Sequence, residues 1–109
     1  MQALIGETVV AEVAEDELVQ IEGNLYFPPE SVRWEFFEDS SMPYTCLWKG
    51  RAQYWSARTP DGAHADAAWS YPSPRPSAVE RVGVEFSGFV AFDPVQVTFL
   101  ESRTDMERL

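Results

Sequence analysis

Cys46 and Lys49 are the residues whose types and spacing point most directly to chemistry. They lie three positions apart in the segment Cys46-Leu47-Trp48-Lys49-Gly50, which interrupts the alternation of polar and apolar residues around it. A neighbouring ammonium favours the nucleophilic thiolate form of a cysteine. Such a thiolate also needs a base within hydrogen-bond reach, and His64 is the only histidine. Cys46 is therefore a candidate nucleophile, with an inert thiol in the core as the alternative.

Lys49 is the only lysine of the chain, and it lies in the segment richest in aromatic residues and glycine. Arg51 follows two positions later, and Gly50 between them allows close approach of a ligand to the backbone. Two cations at this spacing are suited to a phosphate or carboxylate group. The alternative is a surface lysine paired with one of the many acids, which contributes little to stability.

Ser56, His64 and Asp66 are predicted to share one face of a β-hairpin that turns at Pro60-Asp61-Gly62. A serine, a histidine and an acid on one face suggest a catalytic triad. The alternative is the ordinary solvated face of an antiparallel sheet. The weak candidates for catalysis are therefore Cys46, Tyr54 and Asp66.

The side chains that can bind a metal do not have the spacing of a known site. A structural zinc site needs about four ligands, commonly with pairs such as Cys-x-x-Cys. The plausible set here has one cysteine, one histidine and two acids: Cys46, Asp61, His64 and Asp66. The sequence therefore predicts neither a metal site nor a cofactor.

The aromatic residues divide into two groups by their position along the predicted strands. Those within simple alternating strands are assigned to the core: Trp34, Phe36, Phe86, Phe89 and Phe99. Those near loops or strand ends are assigned to a ligand pocket: Tyr26, Trp48, Tyr54, Trp69 and Tyr71. Tyrosine and tryptophan combine an apolar body with a polar tip, which is why they line ligand sites.

The alternation of polar and apolar residues has the period of strands over most of the chain. The clearest hairpin joins strands at 51–58 and 63–71. Further strands are predicted at 8–13, 18–22, 25–27 and 32–37, a loop at 38–44, and a final pair of strands at 86–92 and 95–100. Short helical turns are expected near Glu30 and over 77–81. This pattern predicts an all-β fold, mainly antiparallel, forming a small sandwich or an open barrel.

Length and composition limit the organisation and the partners. The 109 residues are enough for one domain, predicted over 1–102 and followed by a polar C-terminal tail at 103–109. A formal net charge of −10 argues against nucleic acid or an anionic membrane as the main partner. One cysteine cannot form an internal disulfide, which fits a cytoplasmic location.

Four segments in order resemble a bacterial family, domain of unknown function 427. They are Tyr26-Phe27-Pro28, then Cys46 to Gly50 with Tyr54-Trp55, then Ala67-Ala68-Trp69-Ser70-Tyr71-Pro72, and finally Gly88-Phe89-Val90-Ala91-Phe92. The resemblance implies a compact, mainly β domain. The family carries a nucleotidyltransferase-like label, which implies no established activity. The chain departs from the family at Leu47, where proline is usual, and at Asp93, where an aromatic residue is common.

Three hypotheses about function follow. The first is a binding domain for a small, anionic ligand in an aromatic pocket, with Lys49 and Arg51 as polar anchors. The second is an enzyme acting in the same pocket, in the sense of the nucleotidyltransferase-like label. The third is a protein-interaction module or homodimer interface formed by exposed aromatic residues. The sequence leaves open whether the protein is an enzyme and whether it is a monomer or a homodimer.

Overall fold

The computed structural model describes residues 1–101, so the predicted tail at 103–109 lies outside the described residues. The strands are β1 (Gln2–Ile5), β2 (Thr8–Glu12), β3 (Val19–Ile21), β4 (Asn24–Tyr26), β5 (Phe37–Cys46), β6 (Gly50–Thr59), β7 (Gly62–Ser70), β8 (Val90–Phe92) and β9 (Thr98–Leu100). The helix is α1 (Pro76–Val82), and there are 3₁₀ turns at Glu15–Glu17, Pro29–Ser31 and Trp34–Phe36.

The strands form three antiparallel sheets within residues 1–101. One has the order β2-β1-β9, one is the hairpin β3-β4, and the largest has the order β5-β6-β7-β8. The prediction of an all-β, mainly antiparallel fold with a few helical turns is confirmed. The sheets do not close into a barrel.

The predicted central hairpin is confirmed as β6 and β7. Thr59 pairs with Gly62, so Pro60 and Asp61 form a two-residue turn. The predicted alternation of faces along β7 fails, because the register with β6 shifts between Trp55 and Ala57. Ala67 and Ala68 are consequently both fully buried in one hydrophobic cluster.

The segment 38–44, predicted as a loop, belongs to strand β5. This strand pairs only with β6 and forms one edge of the largest sheet. Most of its side chains are exposed, so the sequence has no apolar alternation that would indicate a strand. The register shifts between Ser40 and Tyr44, an irregularity that accommodates Pro43 at the sheet edge.

The predicted strand 32–37 is wrong, because Trp34–Phe36 form a 3₁₀ turn. The Trp34 indole nitrogen donates a hydrogen bond to the Pro29 carbonyl at 2.8 Å, which holds the ring over the preceding turn. Trp34 is therefore 36% exposed instead of lying in the core. Phe36 is partly buried and packs against the first hydrophobic cluster.

The predicted final hairpin is also wrong, because β8 and β9 belong to different sheets. β8 pairs with β7, whereas β9 pairs with β1, a short strand that the sequence pattern did not reveal. Between them the backbone nitrogens of Gln96 and Val97 donate to the Asp93 carbonyl, so the segment turns before β9 begins.

Two hydrophobic cores lie on opposite faces of β8. Val90 and Phe92 belong to the first core, and Ala91 between them belongs to the second. The second core also contains Ile21, Tyr26, Ala52, Tyr71, Ala78 and Phe86. Of the remaining residues assigned to the core, Phe89 packs against the second and Phe99 against the first. Lys49 lies at the margin of the second core, so this core positions the candidate site.

Candidate functional site

The loop 47–49 joins β5 to β6 and sends successive side chains in different directions. Cys46 pairs with Gly50 across the two strands, which leaves a three-residue connection. Leu47 at its tip is 92% exposed, whereas Lys49 is only 6% exposed. The lysine therefore extends from an exposed loop into the molecule.

The Lys49 ammonium is held by one carboxylate and two aromatic rings. Its Nζ donates a hydrogen bond of 2.5 Å to Oε1 of Glu22 and lies 5.1 Å from the ring centres of both Trp48 and Tyr71. A buried cation needs a charged or hydrogen-bonding partner, and aromatic faces attract it as well. Glu22 is thus the partner that sequence analysis missed, 27 residues away along the chain.

Glu22 reaches the lysine from the turn of the β3-β4 hairpin. Ile21 pairs with Asn24, so Glu22 and Gly23 form a two-residue turn with φ of +53° and +82°. Positive φ at both positions is typical of a type I′ turn, which favours asparagine and glycine. A glutamate there is unusual, and its side chain remains 55% exposed.

Both members of the pair are charged at neutral pH. The hydrogen bond from Lys49 holds the pKa of Glu22 below its ordinary value, against a smaller opposing effect of desolvation. Burial lowers the pKa of Lys49, but the hydrogen bond and charge of Glu22, together with other nearby groups, outweigh it and the net pKa is raised. The ion pair therefore joins two hairpin connections by charge as well as by hydrogen bonding.

The five aromatic residues predicted for a pocket all belong to the second core or pack against it. Tyr26 and Tyr71 are buried, and Trp48, Tyr54 and Trp69 are partly buried. The Trp69 indole nitrogen donates a hydrogen bond of 3.1 Å to the Tyr26 hydroxyl. Burial raises the pKa values of Tyr26, Tyr54 and Tyr71, so these phenols stay protonated at neutral pH.

Two further arginines, which sequence analysis did not single out, lie beside the loop 47–49. The backbone nitrogen of Arg75 donates to the Lys49 carbonyl at 2.9 Å. The Arg81 guanidinium carbon lies 4.3 Å from the Trp48 ring centre. We call Lys49, Arg51, Arg75 and Arg81 the basic end. The return of the chain through the prolines after β7 brings these bases together, and no spacing in the sequence signals it.

A surface pocket of about 170 Å³ opens at the basic end. Its lining residues are Arg51, Ala52, Gln53, Pro72 and Ser73. The pocket lies beside the first residues of β6. This strand begins at Gly50, whereas its partner β7 ends at Ser70, opposite Gln53, so residues 50–52 have no partner in β7. Of the residues predicted to bind a ligand, Arg51 lines this pocket.

Two of the three catalytic candidates are neighbours, because Tyr54 pairs with Ser40 across β5 and β6 and Ser40 contacts Asp66. Cys46 is partly buried against the second core. Asp66 lies in the irregular part of β7 with φ of +50°, where its carboxylate accepts a hydrogen bond from the Ser40 hydroxyl and its backbone nitrogen donates to Ser56 Oγ. The His64 imidazole lies 3.2 Å from Thr59 Oγ1 instead. The structure therefore does not assemble Ser56, His64 and Asp66 into a triad.

Two features are absent from the part of the chain that the structure describes. Residues 1–101 contain no group of three or more histidine, cysteine or acidic side chains arranged to hold a metal ion. No helix in the same range combines the length and hydropathy that crossing a membrane requires.

Comparison with known proteins gives one finding. The model of a family described as NTP_transf_9, Domain of unknown function (DUF427), matches residues 1–103. A search among curated proteins finds no match. The family match spans both hairpin connections and every residue of the basic end.

Proposed function

The chain belongs to the domain of unknown function 427 family, as its four segments predicted, and we propose that it binds a small anionic molecule at the basic end. The observation that carries this proposal concerns Arg51, Arg75 and Arg81. None of these three arginines forms an ion pair within residues 1–101, in a chain with a net charge of −10. Exposed arginines without an ion pair, in so acidic a chain, favour an anion as their partner.

The chemistry of the arginines supports an oxyanion. A guanidinium group presents donors in a planar fork that matches the oxygens of a carboxylate or phosphate. Arg51 lines the pocket together with Ser73, which adds a hydroxyl group. The volume of about 170 Å³ is below that of a typical pocket for a drug-sized ligand and suits a group of the size of an oxyanion.

The aromatic residues support the same proposal in a different way from the one expected. The Trp48 ring stabilises two cations, because the Lys49 ammonium lies 5.1 Å and the Arg81 guanidinium carbon 4.3 Å from its centre. The buried Tyr71 forms the other side of the lysine site. In this proposal the aromatic rings hold the cations in place, and the cations contact the ligand.

The lone cysteine supports a cytoplasmic location, because thiols stay reduced there.

Binding of simple oxyanions tests the proposal. We expect calorimetric titration at low ionic strength to detect phosphate, sulfate or citrate binding with a dissociation constant on the order of 1 mM or tighter. Replacing Arg51, Arg75 or Arg81 by alanine should weaken binding about tenfold, since each removes a charge-assisted hydrogen bond. Arg58→Ala is the matched control, because Arg58 is an exposed arginine already paired with Glu38.

The proposal is contradicted if no oxyanion binds to the folded wild-type protein and none binds to a folded variant in which the basic end is intact. It is also contradicted if Arg58→Ala weakens binding as much as the other three substitutions do. That second result would indicate a general effect of net charge instead of a site.

A further inference from the structure

The Glu22 carboxylate occupies the position at which an external anion would meet Lys49. The ion pair is asymmetric, because Lys49 is 6% exposed whereas the Glu22 side chain is 55% exposed. The lysine lies against Trp48 and Tyr71, which are themselves part of the second core or packed against it. The carboxylate approaches it from the solvent side, on the short turn between β3 and β4. Of the two partners, Glu22 is the one that can be exchanged.

The backbone at Glu22 does not depend on the contact with Lys49. Its φ of +53° lies in the left-handed region, which the two-residue turn between Ile21 and Asn24 requires. The turn is therefore closed by its own strands, and the contact with Lys49 is what attaches it to the neighbouring loop. Loss of that contact removes the main side-chain interaction that holds the turn against the loop 47–49.

The charges around Glu22 also support an exchange with an external anion. Lys49 and Arg81 both act electrostatically on its carboxylate. Glu22 is therefore an internal anion bound at the basic end. A carboxylate, phosphate or sulfate group of a ligand has the same charge and the same acceptor oxygens.

We propose that the anionic group of the ligand replaces the Glu22 carboxylate at Lys49 Nζ, so that the Glu22–Gly23 turn acts as a built-in competitor for the site. This inference rests on the proposed function and assigns the ligand a terminal oxyanion group that reaches a buried ammonium. Arg51, Arg75 and Arg81 then bind the remainder of the ligand at the surface. In the free protein Glu22 occupies the site, so the apparent affinity equals the intrinsic affinity multiplied by the fraction of molecules in which the carboxylate has left Lys49.

Removing the competitor should tighten binding. We expect Glu22→Gln to lower the dissociation constant for sulfate about tenfold, since the loss of one charge-assisted hydrogen bond changes a binding constant by that order. Glutamine keeps an acceptor for the buried ammonium, so the fold is retained. Glu22→Gly is the second variant, because it removes the carboxylate and also relieves the positive φ. Sulfate is the probe because its charge does not change near neutral pH.

Glu80→Gln is the matched control, since it removes one negative charge next to Arg81 in α1 without touching the Lys49 pair. The inference is supported if both Glu22 variants bind sulfate about tenfold more tightly than wild type and Glu80→Gln binds nearly as wild type does. It is overturned if wild type binds sulfate and the Glu22 variants bind no more tightly than Glu80→Gln; the proposed function then stands alone. Absence of binding to wild type and to both folded Glu22 variants overturns the inference and the proposed function together.

Discussion

At the level of single residues, the proposed site is built around the Lys49 ammonium and its partner Glu22. The sequence identified Lys49, because it is the only lysine and lies in an unusual aromatic segment. Its burial and its pairing with Glu22 were not predictable, since a contact across 27 residues depends on how two hairpins meet. Arg75 and Arg81 were missed for the same reason. Local patterns identify a residue, whereas tertiary contacts decide its partner.

The ion pair should make stability depend on pH in a defined window. The pKa of Glu22 is lowered from an ordinary value of 4.5, so its stabilising effect is present above that value and is lost as the pH falls through the lowered pKa. Glu22→Gln should reduce the free energy of unfolding by about 1 kcal/mol at pH 7, a modest amount because the carboxylate is half exposed. Urea unfolding of wild type and of Glu22→Gln, at pH 7 and at pH 3, measures the difference in the free energy of unfolding at each pH.

At pH 3 the difference between wild type and Glu22→Gln should have become smaller. Glu38→Gln serves as the reference, because its partner Arg58 lies 3.8 Å away and both side chains are largely exposed. A Glu22→Gln effect that is constant over this range, or one no larger than that of Glu38→Gln, would contradict the assignment of charge to this pair.

At the level of secondary-structure elements, the predictions were accurate for strands whose polar and apolar residues alternate, and they failed where the strands are irregular. The β6-β7 hairpin was predicted from its alternation and from its turn residues. The polar edge strand β5 was missed, since an exposed strand has no apolar side to signal it. The 3₁₀ turn at Trp34–Phe36 has the alternation of a strand by coincidence. The irregularity at Asp66 was invisible, because its backbone conformation follows from register with β6.

Substitutions at Asp66, in the irregular part of β7, separate the effect of its backbone conformation on stability from the effect of its side-chain hydrogen bond. Asp66→Ala and Asp66→Gly both remove the hydrogen bond from Ser40, but only alanine retains a Cβ at a φ of +50°. We expect Asp66→Ala to be less stable than Asp66→Gly by about 1 kcal/mol, the order of the cost of a left-handed conformation. Chemical denaturation of the two variants measures this difference. Equal stabilities, or a less stable glycine variant, would contradict the left-handed conformation at this position.

At the scale of the whole molecule, the distribution of charge matters more than its total. A net charge of −10 argues against a polyanionic partner, and that argument concerns the surface as a whole. Of the six lysines and arginines within residues 1–101, the basic end contains four: Lys49, Arg51, Arg75 and Arg81. An acidic protein can therefore present a local site for a small anion while it repels a polymer of the same sign.

A sulfate titration of the isotopically labelled protein, followed through the backbone amide resonances, tests the proposed anion site directly. We predict saturable chemical-shift changes concentrated in two hairpin connections, at Glu22–Gly23 and at 47–51, with further changes at Arg75 and Arg81. Arg33 and Arg58, the two arginines outside the basic end within residues 1–101, should change little. Shifts that are absent, that do not saturate, or that are as large at Arg33 and Arg58 as at the basic end would contradict the account.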